Sequence, residues 1–74
     1  MKNRIRDLRE DHDLTQTQIA DAIGITQRKY SYLETGTQQL TDDILMALAG
    51  YYETSVDYLL GLTDEKRPYP RRDR

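Results

Sequence analysis

The chain is 74 residues long, contains no cysteine and one histidine, and carries a net charge of −2 at pH 7. That length suits a single domain with a limited core. The missing cysteines exclude disulfides and thiolate metal sites, and one imidazole is too few for an all-protein zinc site. The longest apolar run, "ILMALAGYY", stops at Glu53, short of the about 20 residues a membrane helix requires. The charged start "MKNRIRDLRE" is unlike a signal peptide, so a soluble, cytoplasmic chain is expected.

Helical spacing recurs along the chain and two-residue alternation does not. Ile5, Leu8 and His12 lie three and four apart in a first helix, which Asp13 is expected to close in a left-handed conformation. Thr15 and Gln18 have the spacing of a capping box and open a second helix, with Ile19 and Ile23 on its inner face and Gly24 as its stop. Ile25 is expected to pack inward, and Thr26 to cap a third helix anchored by Tyr30 and Leu33 and ended by Gly36. A fourth helix carries Ile44, Leu45, Leu48, Ala49 and Tyr52 as an apolar stripe, with Asp42 and Asp43 in its first turn, where negative charge suits the helix dipole. Ser55 caps a short fifth helix with Val56, Leu59 and Leu60 inward and Gly61 as its stop. Tyr51, Tyr58 and Leu62 are expected to be partly exposed. After Leu62, "TDEKRPYPRRDR" has no aliphatic residue and reads as a charged, flexible tail. The expected organisation is thus an all-α, five-helix domain over 1–62 and a tail over 63–74.

The charge is unevenly placed. Residues 37–62 contain no cation, whereas 24–36, "GITQRKYSYLETG", gather Arg28, Lys29, Tyr30 and Tyr32 around one acid, Glu34. At about 100° per residue, Tyr30 and Leu33 mark the inner side of the third helix. Arg28, Ser31, Tyr32 and Thr35 then point outward, with Gln27 and Lys29 at the tip. Such a face offers a guanidinium, an amide, an ammonium and hydroxyls without an exposed carboxylate. Arg28 is able to bind guanine O6 and N7, and Gln27 adenine N6 and N7. Ala20 is small where a second helix would be crossed closely by a third, and Ile19, Ile23, Ile25, Tyr30 and Leu33 close the angle between them. Two short helices joined at Gly24 over about 16–35 form a helix-turn-helix pattern.

"LTQTQIADAIGIT", "YSYLETG" and "YYETSVDYLLGLTD" together resemble the Cro/C1-type (Xre) helix-turn-helix regulators of phages and bacteria, over residues 4–64. The resemblance implies a lambda-repressor-like DNA-binding domain. It implies a sequence-specific regulator, acting as a repressor, that lays its third helix in the major groove of a two-fold symmetric operator as a homodimer. It also implies a phosphate contact from Gln16, backbone contacts near Thr35, Thr37 and Gln38, and pairing of Arg9 with Glu34 that leaves Arg9 near phosphate. Such a pair, if exposed, would be worth about 0–1 kcal/mol. The sequence departs from the family pattern at Gln38 (often Arg or Lys), Thr41 (often Pro), Tyr30 (often Val or Ile) and Asp13 (often Gly).

Catalysis is not expected: the hydroxyl nucleophiles available on the helices, Ser31 and Ser55, lie far from His12 in sequence, and no set of catalytic roles is filled. No cofactor, metal or small-molecule effector is implied. The alternative is a protein-interaction module of the antitoxin or antirepressor kind, for which the acidic stretch 37–62 would suit a basic partner.

Overall fold

Ile5 and Leu8 are buried on one side of α1 (Ile5–Asp11), in a computed structural model that describes residues 3–67. His12 caps α1, and Asp13 follows with φ of 56°, the left-handed turn expected of it. α2 (Gln16–Ile23) begins with a complete capping box: Thr15 Oγ1 accepts from the Gln18 amide, and the Gln18 side chain accepts from the Thr15 amide. α3 (Gln27–Thr35) is capped by Thr26 and stopped by Gly36 at φ 83°. α4 (Asp42–Tyr52) is capped by Thr41, and α5 (Val56–Leu59) by Ser55. Among the described residues these are the helices, and there is no strand. The all-α, five-helix organisation expected from the sequence is therefore what the described residues adopt.

The core lies where α2 meets α3 and α4, and α4 meets α5. Its most enclosed side chains are Tyr30, Ile5, Ile19, Leu33, Leu48 and Leu59, each under 2% exposed. Burial stabilises by about 1.5–3 kcal/mol for each such large apolar side chain, so these six, spread over all five helices, fix the helix arrangement. Ile23, Ile25, Val56 and Leu60 pack against this centre but remain only partly covered, less deep than their spacing predicts.

Three features depart from expectation. Tyr58 is 8% exposed, because the Arg4 guanidinium sits 4.3 Å above its ring; an exposed tyrosine was expected there. Arg4 also donates from its backbone amide to the Leu59 carbonyl (2.8 Å) and from Nη2 to Asp64 (2.7 Å), closing the start of the chain onto α5. Glu53 ends α4 with φ of 53°, a left-handed stop without glycine. Thr54 is buried, its hydroxyl donating to the Lys66 carbonyl, so part of the stretch expected to be tail is tied to the domain. The remainder of that tail, with Arg71, Arg72 and Arg74, lies outside the described residues, as does Lys2.

Candidate nucleic-acid interface

α2 and α3 are set at their mutual angle by Gly24 and Ala20. Gly24 has φ of 79°, a conformation that costs an L-residue about 1–2 kcal/mol. The Ile25 amide then donates to the Ala20 carbonyl (3.0 Å), turning the chain directly into the Thr26 cap. Ala20 is fully buried, which leaves no room for a longer side chain between α2 and α3.

This turn brings the first residues of the two helices together: Gln27 Nε2 donates to Gln16 Oε1 (2.6 Å). Neither α2 nor α3 has an acid in its first turn, whereas α4 has two. The free N–H groups and positive dipole ends of α2 and α3 are therefore not neutralised locally. Beside them, Gln27, Arg28, Lys29, Tyr32 and Thr35 are exposed. Among the described residues no carboxylate or hydrogen-bond partner engages the Arg28 or Lys29 side chain. Ser31 is half-buried rather than fully outward.

Glu34, the one acid of α3, does not face solvent. Its side chain is 4% exposed and that of Arg9 is 13% exposed. Arg9 Nε donates to Glu34 Oε2 (2.7 Å) and Nη2 to Oε1 (3.3 Å), while Nη1 donates to the Leu14 carbonyl (2.9 Å). The pairing expected from the sequence is present, but it is a largely buried pair rather than an exposed one. Most of the Arg9 fork is occupied in joining α1 to α3. Gln16 Nε2 completes the cluster by donating to Glu34 Oε1 (3.1 Å). Burial pushes the Glu34 carboxyl up, but hydrogen bonds from Arg9, Tyr30 and Gln16, with the Arg9 charge, outweigh it and hold the group below the usual carboxylate range. Burial, reinforced by Glu34, pushes the Tyr30 phenol far up, and its hydroxyl also lies 3.5 Å from the Ile5 carbonyl.

Past α3, the Thr35 hydroxyl donates to the Tyr32 carbonyl (3.2 Å) and lies 2.9 Å from the Thr37 hydroxyl. The Gln38 amide also donates to the Tyr32 carbonyl (3.2 Å), folding the loop back against the helix end. Thr35, Thr37 and Gln38 are all exposed next to the same surface. The structure thus leaves Gln27, Arg28, Lys29, Tyr32 and Thr35 of α3 exposed and joins Gln16 of α2 to Gln27. The bonds of Gln16 to Glu34 and to Gln27 were not legible in the sequence, because they cross 18 and 11 residues without a local spacing rule.

This geometry, two short helices crossing at a left-handed glycine with the second presenting a cationic, carboxylate-free face, is that of a helix-turn-helix. A profile of the helix-turn-helix family matches residues 5–59, and the chain belongs to that family, in its Cro/C1 (Xre) branch. It is 44% identical, over 93% of its own length and 62% of the relative's, to the Uncharacterized HTH-type transcriptional regulator YobD of Bacillus subtilis (strain 168). It is 34% identical, over 78% of its length and 52% of the relative's, to the Cryptic phage CTXphi transcriptional repressor RstR of Vibrio cholerae. A second RstR sequence, from Vibrio cholerae serotype O1 (strain ATCC 39315 / El Tor Inaba N16961), is 36% identical over 90% of the chain and 62% of the relative. The chain therefore spans less than two thirds of the length of these curated relatives. No solved structure matches the chain at a significant level.

Proposed function

We infer that the chain is a sequence-specific, double-stranded-DNA-binding transcriptional regulator that represses by occupying its operator. The observation that carries this reading is the exposed face of α3, where Arg28 and Lys29 stand unpaired among the described residues while the one acid of the helix is buried behind it. In this reading α3 enters the major groove. Arg28 contacts guanine O6 and N7, Gln27 contacts adenine, and Tyr32 and Ser31 lie along the same groove. Gln16, Lys29 and Thr35 meet phosphates, which fix register without reading sequence. Arg9 orients α3 through Glu34.

The family membership and the repressor named among the relatives support the reading. Ser55 accepts from the Tyr58 amide as a helix cap, and His12 Nδ1 is held 2.9 Å from the Leu8 carbonyl. Exposed Tyr51 and Leu62, at 45% and 63%, offer a surface for a second copy of the chain. A two-fold dimer would set two α3 helices about 34 Å apart on one side of the duplex. Tyr58, beneath Arg4, is not part of that surface.

The test is a gel shift with the purified chain against duplexes selected from a random pool, repeated at rising salt. The reading requires recovered sites with two-fold symmetry and affinity that falls with salt. No shift at low salt, at concentrations well above about 10⁻⁶ M where even non-specific binding appears, would instead favour a protein partner.

A further inference from the structure

Among the described residues, α4 leaves one face uncovered. Ile44, Leu45, Leu48 and Tyr52 are buried in the core, whereas Met46 is 69% and Tyr51 45% exposed, with Gly50 exposed between them. A side chain added at Gly50 would meet nothing within 4 Å, so the middle of this face is open. Acids stand at both ends of it: Asp42 and Asp43 in the first turn and Glu53 at the C-terminal stop, all exposed. The first two suit the helix dipole, but Glu53 adds negative charge to an end that already carries it. Residues 37–62 contain no cation. Among the described residues, none from elsewhere pairs with Asp42, Asp43 or Glu53. The face is apolar along its middle and anionic at its ends.

We propose that this face is the docking site of the chain's own residues 68–74, laid in cis along α4 toward Asp42 and Asp43. Their sequence, "PYPRRDR", sets Arg71, Arg72 and Arg74 against Asp73, with Tyr69 ahead of them. The segment sets out from the correct end of the helix. The Thr54 hydroxyl donates to the Lys66 carbonyl, and Lys66 and Arg67 border the same cavity as Tyr52 and Glu53. Its length is sufficient: residues 68–74, extended, reach about 23–25 Å, and the 11 residues of α4 span about 16 Å. Arg67 and Tyr69 each precede a proline, which favours extended backbone. The order of side chains also matches the order of the face. Tyr69 arrives first, at Tyr51, Gly50 and Met46, and the arginines follow to the carboxylates of Asp42 and Asp43, with which guanidinium groups form charge-assisted hydrogen bonds. Because Tyr51 also belongs to the surface offered to a second copy, a docked segment covers part of that surface within the single chain.

The test uses the full chain and no DNA, so its outcome is separate from that of the DNA-reading assignment. The chain contains no cysteine, so Asp73→Cys places a single nitroxide label in the segment while keeping every arginine. In nuclear magnetic resonance spectra the amides of Asp43, Met46 and Gly50 should lose far more signal to the label than those of Arg28 and Lys29 on α3. At about 1 M salt, where the Debye length falls to about 3 Å from about 10 Å at about 0.1 M, that difference should shrink sharply. Asp42→Asn combined with Asp43→Asn should remove it at low salt, with far-UV circular dichroism showing the helices retained. Equal loss over α3 and α4, or a difference unchanged by salt or by the double substitution, would overturn the proposal. The salt series decides even if the doubly substituted chain fails to fold. A mixture of labelled chain at natural isotopic abundance with unlabelled, isotope-enriched chain tests the other occupant, and should leave the α4 signals intact. Signal loss in that mixture would assign the face to the same segment of a second copy and overturn docking in cis.

Discussion

Arg9→Met keeps most of the side-chain stem and deletes only the charge and its hydrogen bonds, leaving Glu34 covered and without its cation. Removing one partner of a buried ion pair costs about 3–5 kcal/mol, against about 0–1 kcal/mol for an exposed pair. The side-chain exposures of 13% and 4% place this pair in the first class. A domain of 74 residues has a total stability of only about 4–11 kcal/mol at typical values per residue, so the variant should be close to unfolding at neutral pH. Its pH dependence should also change sign. In the native chain Glu34 titrates below its unfolded value of about 4.3. Its contribution is therefore full above that value and is lost as pH falls through the folded pKa. In Arg9→Met burial, the largest influence on Glu34, is opposed only by the hydrogen bonds from Tyr30 and Gln16, and the expected outcome is a folded pKa above the unfolded one. The penalty is then greatest at neutral pH and shrinks as pH falls and the carboxyl protonates. Urea unfolding followed by far-UV circular dichroism, at about pH 7 and about pH 4.5, measures both effects. A loss below about 1 kcal/mol, or a difference between native and variant that stays constant across pH, would refute the argument.

Ala20→Leu should destabilise by about 1–3 kcal/mol or more through overpacking, visible as a lowered melting temperature; an unchanged melting temperature would contradict the close crossing of α2 and α3. Lys29→Ala should reduce the log–log salt dependence of binding by about 0.9 while sparing base preference, as measured by titrations at several salt concentrations; an unchanged slope would remove Lys29 from the phosphates. Tyr52 has a buried hydroxyl without a hydrogen-bond partner among the described residues. Tyr52→Phe should therefore match or exceed native stability by up to about 1 kcal/mol at neutral pH. Burial first, with the neighbouring Tyr51, pushes the Tyr52 phenol up to about 12. Native stability should consequently be full below about pH 10 and decline as pH rises from there, less steeply in the variant. A marked loss of stability in Tyr52→Phe at neutral pH would show that the hydroxyl is engaged.

The elements that obey local rules were the ones legible in the sequence. Thr15 with Gln18, Thr26 and Ser55 each cap the helix that follows as expected, because a cap is decided by residues two or three apart, while the Thr41 cap of α4 was not foreseen. Asp13 takes the left-handed turn expected of it, but Glu53 does so without forewarning, on a residue type with no preference for that turn. Tyr58 was misjudged because Arg4, the residue that covers it, is 54 positions away. At the candidate interface, residue spacing correctly separated buried Tyr30 and Leu33 from exposed Arg28 and Tyr32. It placed Ser31 too far outward and treated the Arg9–Glu34 pair as a surface contact. The Glu34–Gln16–Gln27 line had no signature at all, because it is made by the angle between two helices rather than by the period of either one.

The account depends most on α3 meeting base edges through its outward side chains. The most direct measurement compares native and Arg28→Ala affinities for the selected duplex and for a set of its single-base-pair variants. The native chain should lose about 1–3 kcal/mol on replacement of the guanine that Arg28 contacts, and Arg28→Ala should be indifferent to that replacement while still discriminating at other positions. Equal penalties at every base pair for both proteins would contradict the account.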